Sequence, residues 1–446
     1  MKAPRGTQDV LPAQSHQWQF VERTLLETAA LFGFREIRTP TFEAIELFSR
    51  GVGDTTDVVQ KEMFEVKGQK SRDVFALKPE GTAGVVRAAL EQSLLNDVLP
   101  LKACYITPCF RHERPQAGRL REFHQFGCEV FGASSPAADV ELISLVWHIL
   151  NLFGVKGITL RINSIGCKTC RADYHAALRA HFEAHKDELC ETCLERLSKN
   201  PMRILDCKVD GDKECIRTAP VVTDFLCDEC EKHFTAVKRG LDKLGIPYVV
   251  DPKIVRGLDY YTKTVFEFVS DEIGAQGTII GGGRYDGLVE QLGGKPTPAL
   301  GFGMGIERFL LLLNAQGIEL PAPRGCDLYI GAIGAPALEK AMVLCDKLRG
   351  EGFSVSFDIM DRSVKAQMKY ANKLGASMSM ILGDNELVTG KANIKDMKTG
   401  EQREIEFETE LLNVLYDAAL AAEADAISDQ IGSDAFARIM QMGQNA

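Results

Sequence analysis

The stretch FRHERPQAGRLREFHQFGCEVFG, residues 110–132, governs how the whole chain is read. Two segments of alternating character flank a loop that crowds Arg111, Arg114, Arg119 and Arg121 around Pro115 and Gly118. Four guanidiniums so close together suit phosphate, because each offers a planar fork of donors. Read as a strand, the second segment turns Phe123, Gln125, Gly127, Glu129 and Phe131 to one face, and His124, Phe126, Cys128 and Val130 to the other. The second face is apolar enough to bury. The first sets a carboxamide and a carboxylate on either side of a glycine, leaving a gap for a small ligand. An antiparallel return from Tyr105, Thr107 and Cys109 would set the Arg111 guanidinium beside Glu129. A solvated basic hairpin tip is the plainer reading of the same residues.

Composition is compatible with a site of this kind. At 446 residues, 45% hydrophobic and 26% charged, the chain is long enough for two or three domains with substantial cores. The segment MKAPRGTQDVLP has no apolar leader and no run approaches a spanning helix, so a cytoplasmic protein without a membrane partner is expected. A net charge of −10 looks wrong for a nucleic-acid binder, but residues 401–446 hold ten acids and two bases, or −8. The nearly neutral remainder can still present local basic patches to a phosphate backbone.

Other segments carry signals of different strength. A first helix is expected over about residues 15–31, where Trp18, Val21, Leu25 and Leu26 fall at helical spacing, followed by FREIRTPTFEAIELFSR as a strand broken at Pro40. In LKPEGTAGVVRAAL, Glu80 and Gly81 form a turn and Thr82 is placed to cap the next helix; the plain role of Glu80 is to favour that helix's positive end. IVRGLDYYTKTVFEFV sets Arg256 before paired Tyr260 and Tyr261 and an alternating strand. GTIIGGGRYDGLVEQLGG and ALGFGMGIERFLLLL lack both the P-loop and the dinucleotide fingerprint, so their glycines point to strands closely approached by a ligand or another backbone. Arg308 opens a helix whose Ile306, Phe309, Leu310 and Leu313 form the buried stripe.

Residues 110–132 resemble motif 2 of the class II aminoacyl-tRNA synthetases, and FRHERPQ, HQFGCEVFG and RGLDYYT resemble the histidyl-tRNA synthetases in particular. The helix and strand ending at Pro40 resemble motif 1, a homodimer interface in that family, and ALGFGMGIERF resembles motif 3. The fold implied is α+β: an antiparallel class II sheet flanked by helices, a small helical insertion, and a C-terminal α/β anticodon-binding domain. The implied activity is ATP-dependent ligation of L-histidine to tRNA(His) through a histidyl-adenylate, with magnesium accompanying ATP. By the same resemblance Arg111 and Arg256 meet the α-phosphate and Arg308 the γ-phosphate. Glu80, Gly81, Thr82, Gln125 and Glu129 surround the amino acid, Tyr260, Tyr261 and Tyr285 line its imidazole, and Gln116 and Arg121 meet the tRNA acceptor end. Two rival classes stand beside this one: a noncatalytic regulatory relative serving histidine biosynthesis, and a zinc-dependent nucleic-acid-binding module.

The domains expected are residues 1–325, with an insertion at 167–245, then 326–407, and an acidic extension at 408–446. The insertion holds Cys167, Cys170, Cys190, Cys193, Cys207, Cys215, Cys227 and Cys230. Disulfides are not expected in a cytoplasmic chain. Paired CxxC can chelate zinc, with His233 as a further ligand, and the alternative is reduced thiols in a small helical module. The resemblance does not choose between them. Beyond the loop PAPRGCD the pattern is βαβαβ, with Arg362, Lys365, Lys369 and Lys373 near one helix face; a solvated stripe is the usual meaning, and the resemblance adds a phosphate or anticodon contact. The acidic, alanine-rich tail is expected to form one or two amphipathic helices or to stay mobile.

Overall fold

In the computed structural model the described residues are 1–431, apart from 54, 55, 57, 69–73, 117, 206, 208, 255–257, 274–276 and 324. Arg256 therefore lies outside the described residues. Two compact units divide at Pro321 and Ala322.

The first unit is built on an eight-stranded sheet. Its strands run in the order Arg35–Glu36, Leu101–Phe110, Glu122–Phe131, Ala299–Gly305, Thr278–Arg284, Thr262–Ser270, Ile158–Ser164 and Val249–Val250. Its inner pairings are antiparallel, and the two-residue strands at the edges pair in parallel. Alternation along Glu122–Phe131 sorts its side chains: Phe126, Cys128 and Val130 enter a core with helices Pro12–Leu31, Pro136–Leu152, Asp228–Leu244 and Ile306–Ala315. Phe131 faces the opposite core with Tyr105, Tyr260, Tyr261 and Tyr285. One face of the sheet is thus sealed by helices, and the other is left to carry the polar residues of the site.

The hairpin register corrects one expectation. Leu101 pairs with Phe131 and Phe110 with Glu122, so Ala103 stands opposite Glu129. Arg111 lies past the end of the ladder, where its N–H donates to the carbonyl of Arg121 at 2.8 Å. It cannot sit beside Glu129 because seven residues of paired strand separate it from Ala103, the partner of Glu129.

The insertion is helical, with helices Lys168–Ala184, Glu191–Lys199, Glu214–Arg217 and Asp228–Leu244. Its last helix belongs equally to the body, since Phe234, Val237 and Leu241 are buried in the main core.

The second unit carries a five-stranded mixed sheet in the order Val355–Phe357, Leu328–Ala332, Met378–Leu382, Lys391–Asp396 and Gln402–Glu406. Pairing is parallel among the first three strands and antiparallel thereafter. Past Phe407 the chain is not all extension: the helix Leu411–Ile431 gives Leu411, Val414 and Leu415 to this unit's core. The basic stripe divides too. Arg362 is held by Asp358 at 2.9 Å and lies over the Tyr370 ring, whereas Lys365, Lys369 and Lys373 are exposed. Among the described residues no helix is long and apolar enough to cross a membrane.

Candidate active site

A cleft of about 1150 Å³ opens on the polar face of the large sheet. Glu80, Thr82, Gln125, Tyr260 and Tyr261 line it at one end, and Arg111, Arg119 and Arg308 at the other.

At the first end, the turn at Glu80 is fixed by its own helix. The Glu80 carboxylate accepts from the amides of Thr82 at 2.9 Å and Ala83 at 2.7 Å, so Glu80 caps the helix Thr82–Glu91. The expected capping by Thr82 is not what forms, because the Thr82 hydroxyl points the other way and donates to Glu129 at 2.7 Å. Gly81 N–H donates to the Gln125 carboxamide at 2.9 Å, which ties this turn to the strand Glu122–Phe131.

Glu129 is fully buried beneath this surface. It accepts from Thr82, from Tyr105 at 3.0 Å and from Tyr285. Burial pushes its carboxyl up to about 8; the three hydroxyl donors pull against that, while the Glu80 charge adds to it. Burial raises Glu80 as well, opposed by the Thr82 and Ala83 amides and by Arg111. Tyr260 approaches Glu80 with its hydroxyl at 3.5 Å, and its ring lies 4.7 Å from that of Tyr261 and 5.4 Å from that of Tyr285.

Glycines make this crowding feasible. A Cβ on Gly301 would meet Glu129 at 1.6 Å, and one on Gly303 would meet Gln125 at 2.4 Å. Gly81 and Gly127 clear space for the Tyr105 ring, which a Cβ on either would meet at 2.2 and 2.3 Å. The close approach read from the glycine-rich segments is real: neighbouring backbone comes nearest at Gly277, Gly282 and Gly283, and the Glu129 and Gln125 side chains at Gly301 and Gly303.

At the other end, Arg308 donates to the Thr278 carbonyl at 2.5 Å and to the Gly118 carbonyl at 3.4 Å. Burial lowers its pKa, and the charges of Arg119 and Arg111 press it further down against the pull of Glu113. Arg119 pairs with Glu113 at 2.7 Å. Arg111 joins the two ends: its Nε donates to the Pro79 carbonyl at 2.8 Å, and its guanidinium lies over the Phe123 ring. In the loop, Gln116 and Arg119 exchange backbone hydrogen bonds across Gly118, whose φ of +68° favours glycine. Gln116 is exposed. Arg121 Nε donates to the Glu113 carbonyl at 3.1 Å and its stem packs on Gly6.

The sequence alone does not mark Tyr105 or Glu113 as site groups, and it names Arg119 only among the loop's phosphate-suited arginines. Only a register opposite Gly127 marks Tyr105, and that register exists once the hairpin is paired. His233 is in neither cysteine cluster's ligand set; its Nε2 lies 3.2 Å from Asp139, which holds the fully buried Arg284 at 2.7 Å. Asp210, three residues beyond Cys207, takes a place among the cysteines instead.

Known proteins resemble this chain along most of its length. Residues 6–309 match the family described as Histidyl-tRNA synthetase, and residues 327–415 match an Anticodon binding domain. The Histidine--tRNA ligase of Caldanaerobacter subterraneus subsp. tengcongensis is 52% identical over 404 residues, 91% of this chain and 97% of that protein. That of Acetivibrio thermocellus is 52% identical over 410 residues, 92% of this chain and 98% of its own. The crystal structure of apo Staphylococcus aureus histidyl-tRNA synthetase superposes with a TM-score of 0.80 at 41% identity, covering 93% of this chain and 99% of that one. None of these similarities favours the regulatory reading. A match running through nearly the whole first unit, with relatives more than half identical across both units, shows that this chain belongs to the histidyl-tRNA synthetase family.

Proposed function

We propose that the chain activates L-histidine with ATP and transfers the histidyl group to tRNA(His), releasing diphosphate and AMP. The observation that carries this reading is the two-ended cleft: carboxylates, a carboxamide and phenols at one end, guanidiniums at the other, joined by Arg111.

A histidine carboxylate held between these ends attacks the α-phosphorus of ATP, and the bond to the bridging oxygen of the diphosphate breaks. Negative charge builds on the phosphoryl oxygens, so fixed guanidiniums lower the barrier by meeting charge that was absent in the ground state. Arg111 and Arg256 take the α-phosphate in this reading and Arg308 the γ-phosphate. Magnesium arrives with ATP as part of the substrate. Glu80, Gly81, Thr82 and Gln125 hold the amino acid, and Tyr260, Tyr261, Tyr285 and Glu129 form the imidazole side. Selectivity follows from buried polar groups, which an apolar side chain would leave unpaired. In the second step a terminal ribose hydroxyl attacks the acyl carbon and AMP departs; Gln116 and Arg121 meet the acceptor end. We further propose a homodimer using the first helix and the segment that follows it, where Leu31 and Phe42 expose large apolar side chains, and a cytoplasmic location.

Exchange of labelled diphosphate into ATP is the direct test. It should depend on histidine and fail with glutamine or asparagine. Absence of histidine-dependent exchange in folded, magnesium-supplied protein would remove the activation step.

A further inference from the structure

We propose that the helical insertion carries two tetrahedral zinc sites, one formed by Cys167, Cys170, Cys227 and Cys230 and the other by Cys190, Cys193, Cys207 and Asp210. Within each set the four ligand atoms all lie within 4.8 Å of one another. The Sγ atoms of Cys167 and Cys170 are 3.6 Å apart, those of Cys167 and Cys227 4.0 Å, and those of Cys190 and Cys207 3.8 Å. Zinc–sulfur bonds of about 2.3 Å give a tetrahedron with sulfur–sulfur edges of about 3.8 Å. A four-iron cluster attaches each thiolate to a different iron and so spreads its ligands further. All thirteen cysteines are free thiols. Thiols that only fill a core have no reason to aim their sulfurs at one another in fours.

The local structure prepares both sites. Each CxxC pair opens a helix, with Cys167, Cys190 and Cys227 at the cap positions and the second cysteine one turn in. Backbone amides at such ends favour thiolate. The Cys227 N–H donates to Cys170 Sγ at 3.1 Å, and that of Asp210 to Cys207 Sγ at 3.4 Å. The Asp210 carboxylate accepts from Cys190 N–H at 2.8 Å, and Lys213 stands 2.8 Å away on its other oxygen, where its charge offsets the anionic excess of three thiolates and a carboxylate around a divalent ion. Cys215 lies outside both sets.

The two sites differ in what they hold. The first joins the start of the insertion to the helix Asp228–Leu244, which is anchored in the catalytic core, and so closes the insertion at its base. Beside it, Arg171 donates to the Tyr261 carbonyl at 3.2 Å, linking this base to the tyrosine wall of the cleft. The second holds Cys190 and Cys207, which line the outer cleft together with Arg196 and Arg203. It therefore positions the insertion's basic face over the substrate opening.

Metal content of the full-length protein, purified under reducing conditions without chelator or metal-affinity resin, tests this. Two zinc ions per chain are expected, one in Cys230→Ser, one in Cys193→Ser, and two in Cys215→Ser. Should a variant fail to fold, cobalt titration of metal-stripped wild-type protein gives an independent reading: thiolate-to-cobalt charge-transfer bands should saturate at two equivalents. Zinc near zero after incubation with excess zinc and desalting, or cobalt bands absent or saturating at one equivalent, would overturn the two-site proposal.

Discussion

Two regions of this molecule bury polar groups, and they satisfy them in opposite ways. Around Glu129, hydroxyls of Thr82, Tyr105 and Tyr285 already meet the carboxylate, so the protein supplies both donor and acceptor. In the insertion, thiols converge chiefly on one another, and weak sulfur contacts are a poor return for desolvation. The first region satisfies its carboxylate from within. The second brings ligand atoms together in two sets of four. Internal hydrogen bonding builds a specific pocket, whereas ligand convergence without partners marks a place where a metal completes the fold.

The sharpest way to break the first half of this contrast is at the cleft's cationic end. Arg308→Ala should lower kcat/KM for ATP in diphosphate exchange on the order of 100- to 1000-fold, while histidine binding measured by calorimetry changes little. An equal loss in both would mean that Arg308 holds the fold of the site and not the phosphate.

Gly301→Ala tests whether the carboxylate end is packed as tightly as its register implies. A methyl group meeting Glu129 at 1.6 Å should destabilise the protein by about 1–3 kcal/mol in urea unfolding. Gly287→Ala, with nothing within 4 Å of its added carbon, should cost well under that. Similar losses would indicate that the pocket yields.

Glu129→Gln separates function from stability. Replacing the buried carboxyl by a carboxamide should weaken histidine binding about 10-fold, as loss of a buried hydrogen bond does. The same change should favour folding as pH rises. The wild-type carboxyl is raised in the folded state to about 8, so its contribution is fully present below the ordinary carboxylate range and is lost as pH climbs through 8. The difference in Tm, variant minus wild type, should therefore grow between pH 5 and pH 8.5. A constant difference would show that Glu129 does not titrate there.

The smallest effect is expected at the loop. Gln116→Ala should leave diphosphate exchange unchanged and reduce tRNA charging about tenfold.

Much of this was legible before any coordinates. Period-two alternation sorted the two faces of Glu122–Phe131 correctly because one face is sealed by helices and the other carries the site. Helical spacing likewise found the first helix, which begins slightly earlier, at Pro12. The errors came where pairing register or three-dimensional convergence decides. Sequence alone leaves the hairpin's loop length open, so it does not keep Arg111 from Glu129, and it does not show that the Glu80 carboxylate reaches the Thr82 and Ala83 amides in the folded turn. His233 was grouped with the cysteines by proximity in sequence, yet one helical turn carries it to Asp139. Asp210 lay in plain sight in the Cys207-x-x-Asp210 spacing, which repeats the interval of the CxxC pairs.

Charging of a tRNA(His) transcript with radiolabelled histidine, followed on acid gels, bears most directly on the function of the molecule. Histidine should become covalently attached to the transcript in an ATP-dependent reaction that releases AMP. Histidine binding without any transfer to tRNA, from protein that is folded and loaded with metal, would contradict it.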